Sequence, residues 1–401
     1  MNARVLSYVE LFTGRLRSYI EDALGRSARY LPMIQSVFRA EGLPLDLAYV
    51  PLVESAFNPN ALSRAKAKGL WQFMRGTALE NGLKHDWYLD ERAEPEKATR
   101  AAAKYLKTLY ALFGDWHLAL ASYNGGPGRV QRAVKLSGKD DFWQLSASPR
   151  YLPRETRDYV PLILAAVIIA RNPMLYGMTI HDSPAPIQDA ETVALPTAVD
   201  LRRIAEWTGT TVEVIQDLNP ALRRWTTPLR AENYELKVPP GAAGVIEARL
   251  ADAASAELAP LNWHIVRKGD TLATIARKLK VSRADLAEAN YLSVQSPVSA
   301  GQKLVVPRAP NLLQAARAET PAPVAESLPI RNATSTFATA PRADGTPPSL
   351  VYSVRQGDTL FSIARLYRTT VASLKTWNHI SCTAIKVGDR LTIFTNRANA
   401  G

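Results

Sequence analysis

The sequence predicts a multidomain chain: an all-α domain followed by small α+β modules of βααβ order. Three observations lead there. The 401 residues exceed what one small domain holds and suggest about two to four. Residues 1 to about 180 read as helical throughout. Beyond about residue 190 the texture turns to short β-branched runs broken by Gly and Pro, and one pattern recurs.

In the first part, MNARVLSYVELFTGRLRSYIEDALG reads as one amphipathic helix, with Val5, Tyr8, Val9, Phe12, Leu16 and Ile20 near helical spacing. It lacks the apolar centre and cleavage site of an export leader. Pro32 opens a helix over 32–40, broken by EGLP at 41–44, and a second helix covers 45–57 until Asn58-Pro59 ends it. Residues 96–113 are rich in Ala, Leu and Lys and strongly helical, 115–121 form a short helix, and the Tyr-Asn-Gly-Gly-Pro-Gly run at 123–128 reads as a loop. Residues 159–170 are apolar all round, the mark of a buried helix, and too short a run to span a bilayer.

In the second part, HIVRKGDTLATIARKLKVSRADLAEAN (264–290) aligns with YSVRQGDTLFSIARLYRTTVASLKTWN (352–378). Gly269 to Asn290 and Gly357 to Asn378 span equal intervals, and each copy then reaches a Gly (Gly301, Gly388) and a closing strand, KLVVP or RLTIF. A weaker copy at 199–220, closed by YELKVPPG, lacks the Gly-Asp-Thr opening but keeps the Ala205 to Asn219 interval. Leu201, Leu272 and Leu360 share one offset, and Ile215, Leu286 and Leu374 another; these read as core. The expected domains are 1–180, 190–245, 262–308 and 350–396, with an Ala/Pro/Thr-rich linker over 311–349.

A formal net charge of +12 favours polyanionic partners: nucleic acid, an anionic membrane, or a wall polymer bearing carboxylates. No Lys/Arg run marks a nucleic-acid arm. The single cysteine, Cys382, rules out an intramolecular disulfide and suits either the cytosol or a periplasmic protein without one.

The stretch YVPLVESAFNP (49–59) sets one carboxylate, Glu54, in apolar company. Helical spacing from Leu47, Val50 and Pro51 puts it on the apolar stripe, where its pKa rises and it serves as a general acid at neutral pH. Taken alone, a helix-end Glu that reaches solvent is the commoner arrangement. The residues downstream shift the balance. Trp71, Gln72, Tyr123, Asn124 and Tyr159 are the rings, amides and hydroxyls that hold a sugar polymer, gathered around one acid.

The motifs ESAFNP, S…KGLWQFM, FGDWHLALASYNGGPGRV and LPRETRDYVP, in that order, resemble the lysozyme-like domain of the soluble-lytic-transglycosylase family, over about residues 30–170. The VRKGDTL…IA…N and VRQGDTL…IA…N copies resemble lysin-motif (LysM) modules. The resemblance implies an all-α lysozyme-like domain with LysM modules, acting on peptidoglycan glycan strands without cofactor or metal. It implies Glu54 as catalytic acid, and Ser63, Gln72, Tyr123, Asn124 and Tyr159 as substrate-binding residues, with Tyr159 bonding the catalytic carboxyl. Glu155 falls on a scaffold position. The implied place is the periplasm or outer membrane of a Gram-negative bacterium, with peripheral or lipid-anchored membrane association not visible in this chain, and no nucleic acid. Lys66-Ala67-Lys68, Arg75 and Ala78 depart from the family pattern in the loop that shapes the cleft.

Two rival readings stay open. An ordinary muramidase needs a second carboxylate across the sugar, for which Asp46 and Asp86 are candidates. A wall-binding scaffold needs only the modules. Among other features, Trp116, Trp143 and Trp207 read as core packing, His85 and His117 stand without metal-ligand spacing, and Lys66 to Lys68 read as a solvated loop. Asp270 and Asp358 read as shaping the first turn and helix cap of their modules, and Cys382 as a small buried residue.

Overall fold

The computed structural model describes residues 2–180, 190–230, 233–252, 258–259, 261–307 and 349–354, then residues 360, 363, 371–378, 380, 385 and 388–394. The chain divides into two compact units, Met1–Pro329 and Ile330–Gly401. The expected linker residues 311–348, Asp358 and Cys382 lie outside the described residues.

The first unit begins with helices. The expected single N-terminal helix is two, α1 (Ala3–Thr13) and α2 (Arg17–Ser27), because the chain breaks at Gly14. Asn2 caps α1 by accepting from Arg4 N, and Val5, Tyr8, Val9 and Phe12 are its buried face. After α3 (Leu31–Ala40) comes a 3₁₀ turn, Leu45–Tyr49, and then the short α4 (Val50–Glu54). The helix expected over 45–57 therefore ends three residues early. Ser55 N and Phe57 N both donate to Pro51 O, while Ala56 (φ 53°) and Phe57 (φ 57°) turn left-handed, which no helix continues.

Next come α5 (Arg75–Glu80), α6 (Pro95–Phe113), α7 (Trp116–Gly125), α8 (Pro127–Ser137), α9 (Phe142–Ser146) and α10 (Arg154–Arg171). Glu94 caps α6 and Asp115 caps α7, each side chain accepting a backbone N–H three residues on. The loop expected from Tyr123 begins later, since Tyr123, Asn124 and Gly125 are the last turn of α7. Tertiary packing overrides the Gly-rich signal: a Cβ on Gly125 would come 2.7 Å from Thr156 Oγ1, so glycine is there to let α7 approach α10. The apolar α10 packs against α1, α4 and α7 at the centre of a core that includes Phe12, Phe38, Leu52, Trp71, Leu106 and Ile163.

Three modules follow, each built on a two-stranded antiparallel sheet. The first pairs β1 (Glu191–Leu195) with β2 (Tyr234–Val238) around α11 (Leu201–Thr208) and α12 (Val212–Leu218), and adds α13 (Ala243–Asp252), whose Ile246 enters the same core. The second pairs β3 (Trp263–Ile265) with β4 (Lys303–Val305) around helices Leu272–Leu279 and Arg283–Ala289. In the second unit, β5 (Ser349–Ser353) pairs with β6 (Arg390–Phe394), with helix Val371–Trp377 between them. The aligned Leu201, Leu272 and Leu360, and Ile215, Leu286 and Leu374, are all buried. Asp270 shapes the opening turn by accepting from Arg267 N at 2.9 Å. The cap of the next helix is Thr271, in a reciprocal box with Thr274, and not Asp270.

The repeated asparagine closes each module. Asn290 Nδ2 donates to Leu286 O at 2.7 Å and Val305 O at 2.8 Å, while its Oδ1 accepts from Val305 N at 2.7 Å. Asn219 makes the same three bonds to Ile215 O, Lys237 O and Lys237 N, and Asn378 to Leu374 O, Thr392 O and Thr392 N. One amide thus pins the second helix to the closing strand. Asn290→Leu leaves both polar groups of Val305 without that partner in a buried site, and is expected to cost about 2–4 kcal/mol. Thermal melting, with amide exchange at Val305, measures it.

Candidate active site

Glu54 is the last residue of α4 and only 7% exposed. Tyr159, one turn into α10, donates its hydroxyl to Glu54 Oε1 at 2.5 Å. The carboxyl is raised from 4.5 to about 7: burial pushes it up, the Tyr159 bond offsets part of that rise, and the charge of Glu155 adds a smaller upward push. A carboxyl buried beside a neutral phenol and a second carboxylate holds its proton near neutrality and keeps it transferable. Tyr19 and Tyr123 also feel the charge of Glu54; burial raises both phenols first, and Glu54 raises them further. Tyr19, from α2, donates to Leu52 O at 3.3 Å and stands out in no sequence motif.

The chain after Glu54 is drawn back over it. Ser55 Oγ donates to Leu70 O at 2.8 Å, tying the end of α4 to the Gly69–Phe73 turn. Ser63 is buried, and its Oγ accepts from Ala67 N at 3.0 Å while Ser63 N donates to Ala67 O. Gln72 sits at φ 47° with Nε2 donating to Gly69 O (2.9 Å) and Ala61 O (3.2 Å). Trp71 is fully buried, and its Nε1 donates to Thr99 Oγ1 on α6 at 3.0 Å. Tyr123 reaches this turn from α7, donating to Trp71 O at 2.7 Å within a cluster of Phe73, Tyr105 and Tyr123 rings. Asn124 donates to Glu155 Oε1 (3.3 Å) and accepts from Thr156 Oγ1 (3.0 Å), which joins α7 to the first turn of α10.

Of the six residues expected, Glu54 and Tyr159 bond directly, and Tyr123, which feels the charge of Glu54, bonds the turn of Gln72 at Trp71 O. Ser63 and Asn124 are each fixed by local bonds. The solvated loop expected at 66–68 is only half right: Lys66 is exposed, but Lys68 is buried and its charge acts on the buried Asp90. The two carboxylates offered for a hydrolytic site are engaged elsewhere. Asp46 is exposed and paired with Arg171 at 3.6 Å, and Asp86 Oδ1 accepts from Tyr88 N and Leu89 N. Trp116, Trp143 and Trp207 are partly buried against the cores.

The Transglycosylase SLT domain family matches residues 35–146, and the LysM domain family matches 264–307 and 352–394. A third family, the LysM-like domain of lytic transglycosylase MltD, matches 189–255. The chain is 31% identical over 400 residues to membrane-bound lytic murein transglycosylase D of Escherichia coli K12, covering 96% of this chain and 80% of that protein. The soluble lytic murein transglycosylase of Salmonella typhimurium is 38% identical over 119 residues, 28% of this chain and 18% of its own. The peptidoglycan transglycosylase gp16 of phage T7 is 36% identical over 133 residues, 32% of this chain and 10% of its own.

The raised Glu54 pKa makes stability depend on pH. Between pH 4.5 and about 7 an unfolded chain releases this proton and the folded chain keeps it, so stability falls as pH rises, by roughly 3 kcal/mol in all. Glu54→Gln removes that slope, and the variant is expected to melt higher than the parent at pH 8 and alike at pH 4. Melting curves at the two pH values check this. Tyr159→Phe removes a hydrogen bond that lowers the Glu54 pKa, so the Glu54 titration is expected to move to higher pH, read by carboxyl NMR.

Proposed function

The chain belongs to the family of membrane-bound lytic murein transglycosylase D, peptidoglycan lytic transglycosylases with LysM modules, and on that premise we propose that Glu54 is its single catalytic acid–base. The observation that carries this is the buried Glu54 carboxyl held at 2.5 Å by Tyr159 and raised to about 7. Protonated, Glu54 gives its proton to the glycosidic oxygen between N-acetylmuramic acid and N-acetylglucosamine, and the bond from that oxygen to C1 breaks. Positive charge at C1 is relieved by the acetamido oxygen of the same sugar. Ionised, Glu54 takes the proton of the C6 hydroxyl as that oxygen attacks C1, which closes a 1,6-anhydro ring and restores the acid.

Water takes no part, so one carboxylate suffices. The placement of Asp46 and Asp86 away from such a role supports this reading over a hydrolytic one. Tyr159 orients the carboxyl and tempers its pKa. Ser63, Gln72, Tyr123 and Asn124 line the path of the glycan, with Ser63 facing the acetamido group. The catalytic domain is 1–180, and the modules over 190–245, 262–308 and 350–396 hold the glycan, raising the local concentration of strand at the cleft. The enzyme acts at the envelope, as a periplasmic or outer-membrane-associated protein. Among the described residues no helix is long and apolar enough to cross a membrane.

Digestion of purified sacculi, followed by mass analysis of the muropeptides, tests the reading. Anhydro ends, one water lighter than hydrolysed ones, are expected; reducing ends would make the enzyme a muramidase, and intact sacculi a scaffold. Glu54→Gln is expected to lower the rate by at least about 10²-fold while sacculus binding stays intact.

A further inference from the structure

Between α5 and α6 the chain runs through residues 84–94 and bonds in two directions. Toward the first module it pairs as a strand would: Asp90 N donates to Ala221 O at 2.8 Å, Arg223 N donates to Tyr88 O at 2.8 Å, and Leu89 bridges Leu222. The Arg224 guanidinium lies 3.6 Å over the Trp87 ring, and Arg223 Nη1 donates to Asp86 O. Tyr88, buried, stacks on Tyr291 of the second module and donates to Ala289 O at 3.0 Å.

Toward the cleft the same segment ends in a buried fork. Arg92 Nε and Nη2 each donate to one oxygen of Asp90 at 2.8 Å. The remaining arm, Nη1, donates to Lys66 O at 2.8 Å and Phe73 O at 3.0 Å. Those two carbonyls bracket the turn that carries Gln72, and the Ser63 hairpin closes into it at Ala67. Arg92 O lies against the middle of that turn: a Cβ on Gly69, which sits at φ +86°, would come within 1.8 Å of it. A guanidinium loses little by burial when every arm is bonded: two nitrogens hold the Asp90 carboxylate while the third holds both carbonyls, four bonds in all, which the three N–H donors of an ammonium cannot make.

We propose that Arg92 is a positioning residue for transglycosylation, seating the Ser63–Gln72 loop against Glu54, and that the first module holds Arg92 in place through its pairing with Tyr88 to Asp90. The proposal rests on the assignment of Glu54 and its cleft above. It makes the first module part of the catalytic apparatus as well as a glycan binder. A loop that presents substrate-binding groups loses rate when it shifts by a fraction of an ångström, because the reacting geometry is what the site supplies.

The test uses the full chain on purified sacculi, with Arg92→Lys beside the parent. Anhydro ends from the parent decide the functional reading by themselves. Arg92→Lys keeps the charge next to Asp90 but cannot hold the Asp90 carboxylate by two bonds and both carbonyls together. It is expected to bind sacculi as the parent does, to lose at least tenfold in kcat per folded molecule, and to keep the alkaline limb of its pH profile where the parent has it. A kcat within twofold of the parent, or a loss that tracks the unfolded fraction in melting, overturns the proposal. Should Arg92→Lys fail to fold, amide exchange in the parent decides: the Lys68 and Phe73 amides are expected to open together with those of Asp90 and Arg223, and independent opening overturns it.

Discussion

A carboxyl taken out of water, with a phenol in place of a cation as its partner, is the constraint around which the catalytic domain is arranged. An arginine in the place of Tyr159 would drive Glu54 into the ionised form. A wholly apolar wall would hold the proton too firmly to give it away. The structure sits between these, with a phenol bonded to Glu54 and two more phenols, Tyr19 and Tyr123, within reach of its charge. The left-handed Ala56 and Phe57 each store of the order of 1 kcal/mol of backbone strain. They are kept in place by the donation of Arg26 Nε to Ala56 O at 2.8 Å and by complete burial of the Phe57 ring.

Much of this was legible in the residues. Apolar spacing around Glu54 pointed to a buried acid only together with the motifs downstream, and the equal intervals from Ala205, Ala276 and Ala364 to the following asparagines announced the βααβ modules before any geometry was known. What escaped reading was tertiary in origin. Gly125 looks like a loop signal and is a contact requirement, since only the position of Thr156 on α10 explains it. Lys68 reads as part of a solvated loop and is buried. Leu89 and Asp90 pair with a module more than a hundred residues downstream, and no local pattern carries that information.

That pairing changes how the chain's organisation is understood. Read as sequence, the modules are separate beads after a catalytic domain. In the first unit the first bead shares strand-like hydrogen bonds with the catalytic domain, and the second reaches it through Tyr291 and Ala289. At such joints Asp90 and Arg92 bond each other through a fork, and the Arg224 guanidinium lies over the Trp87 ring. Joints of this kind are specific, because a wrong partner leaves a buried charge unmatched.

The asparagine that closes each module draws all of its partners from within that module: a carbonyl of its own second helix and both polar groups of one residue of its own closing strand. A copy of such a module carries its latch with it. Gene duplication can therefore lengthen the chain by whole units without compensating changes elsewhere, and the weakest copy, at Asn219, shows how far the rest of the repeat can drift once the latch is kept.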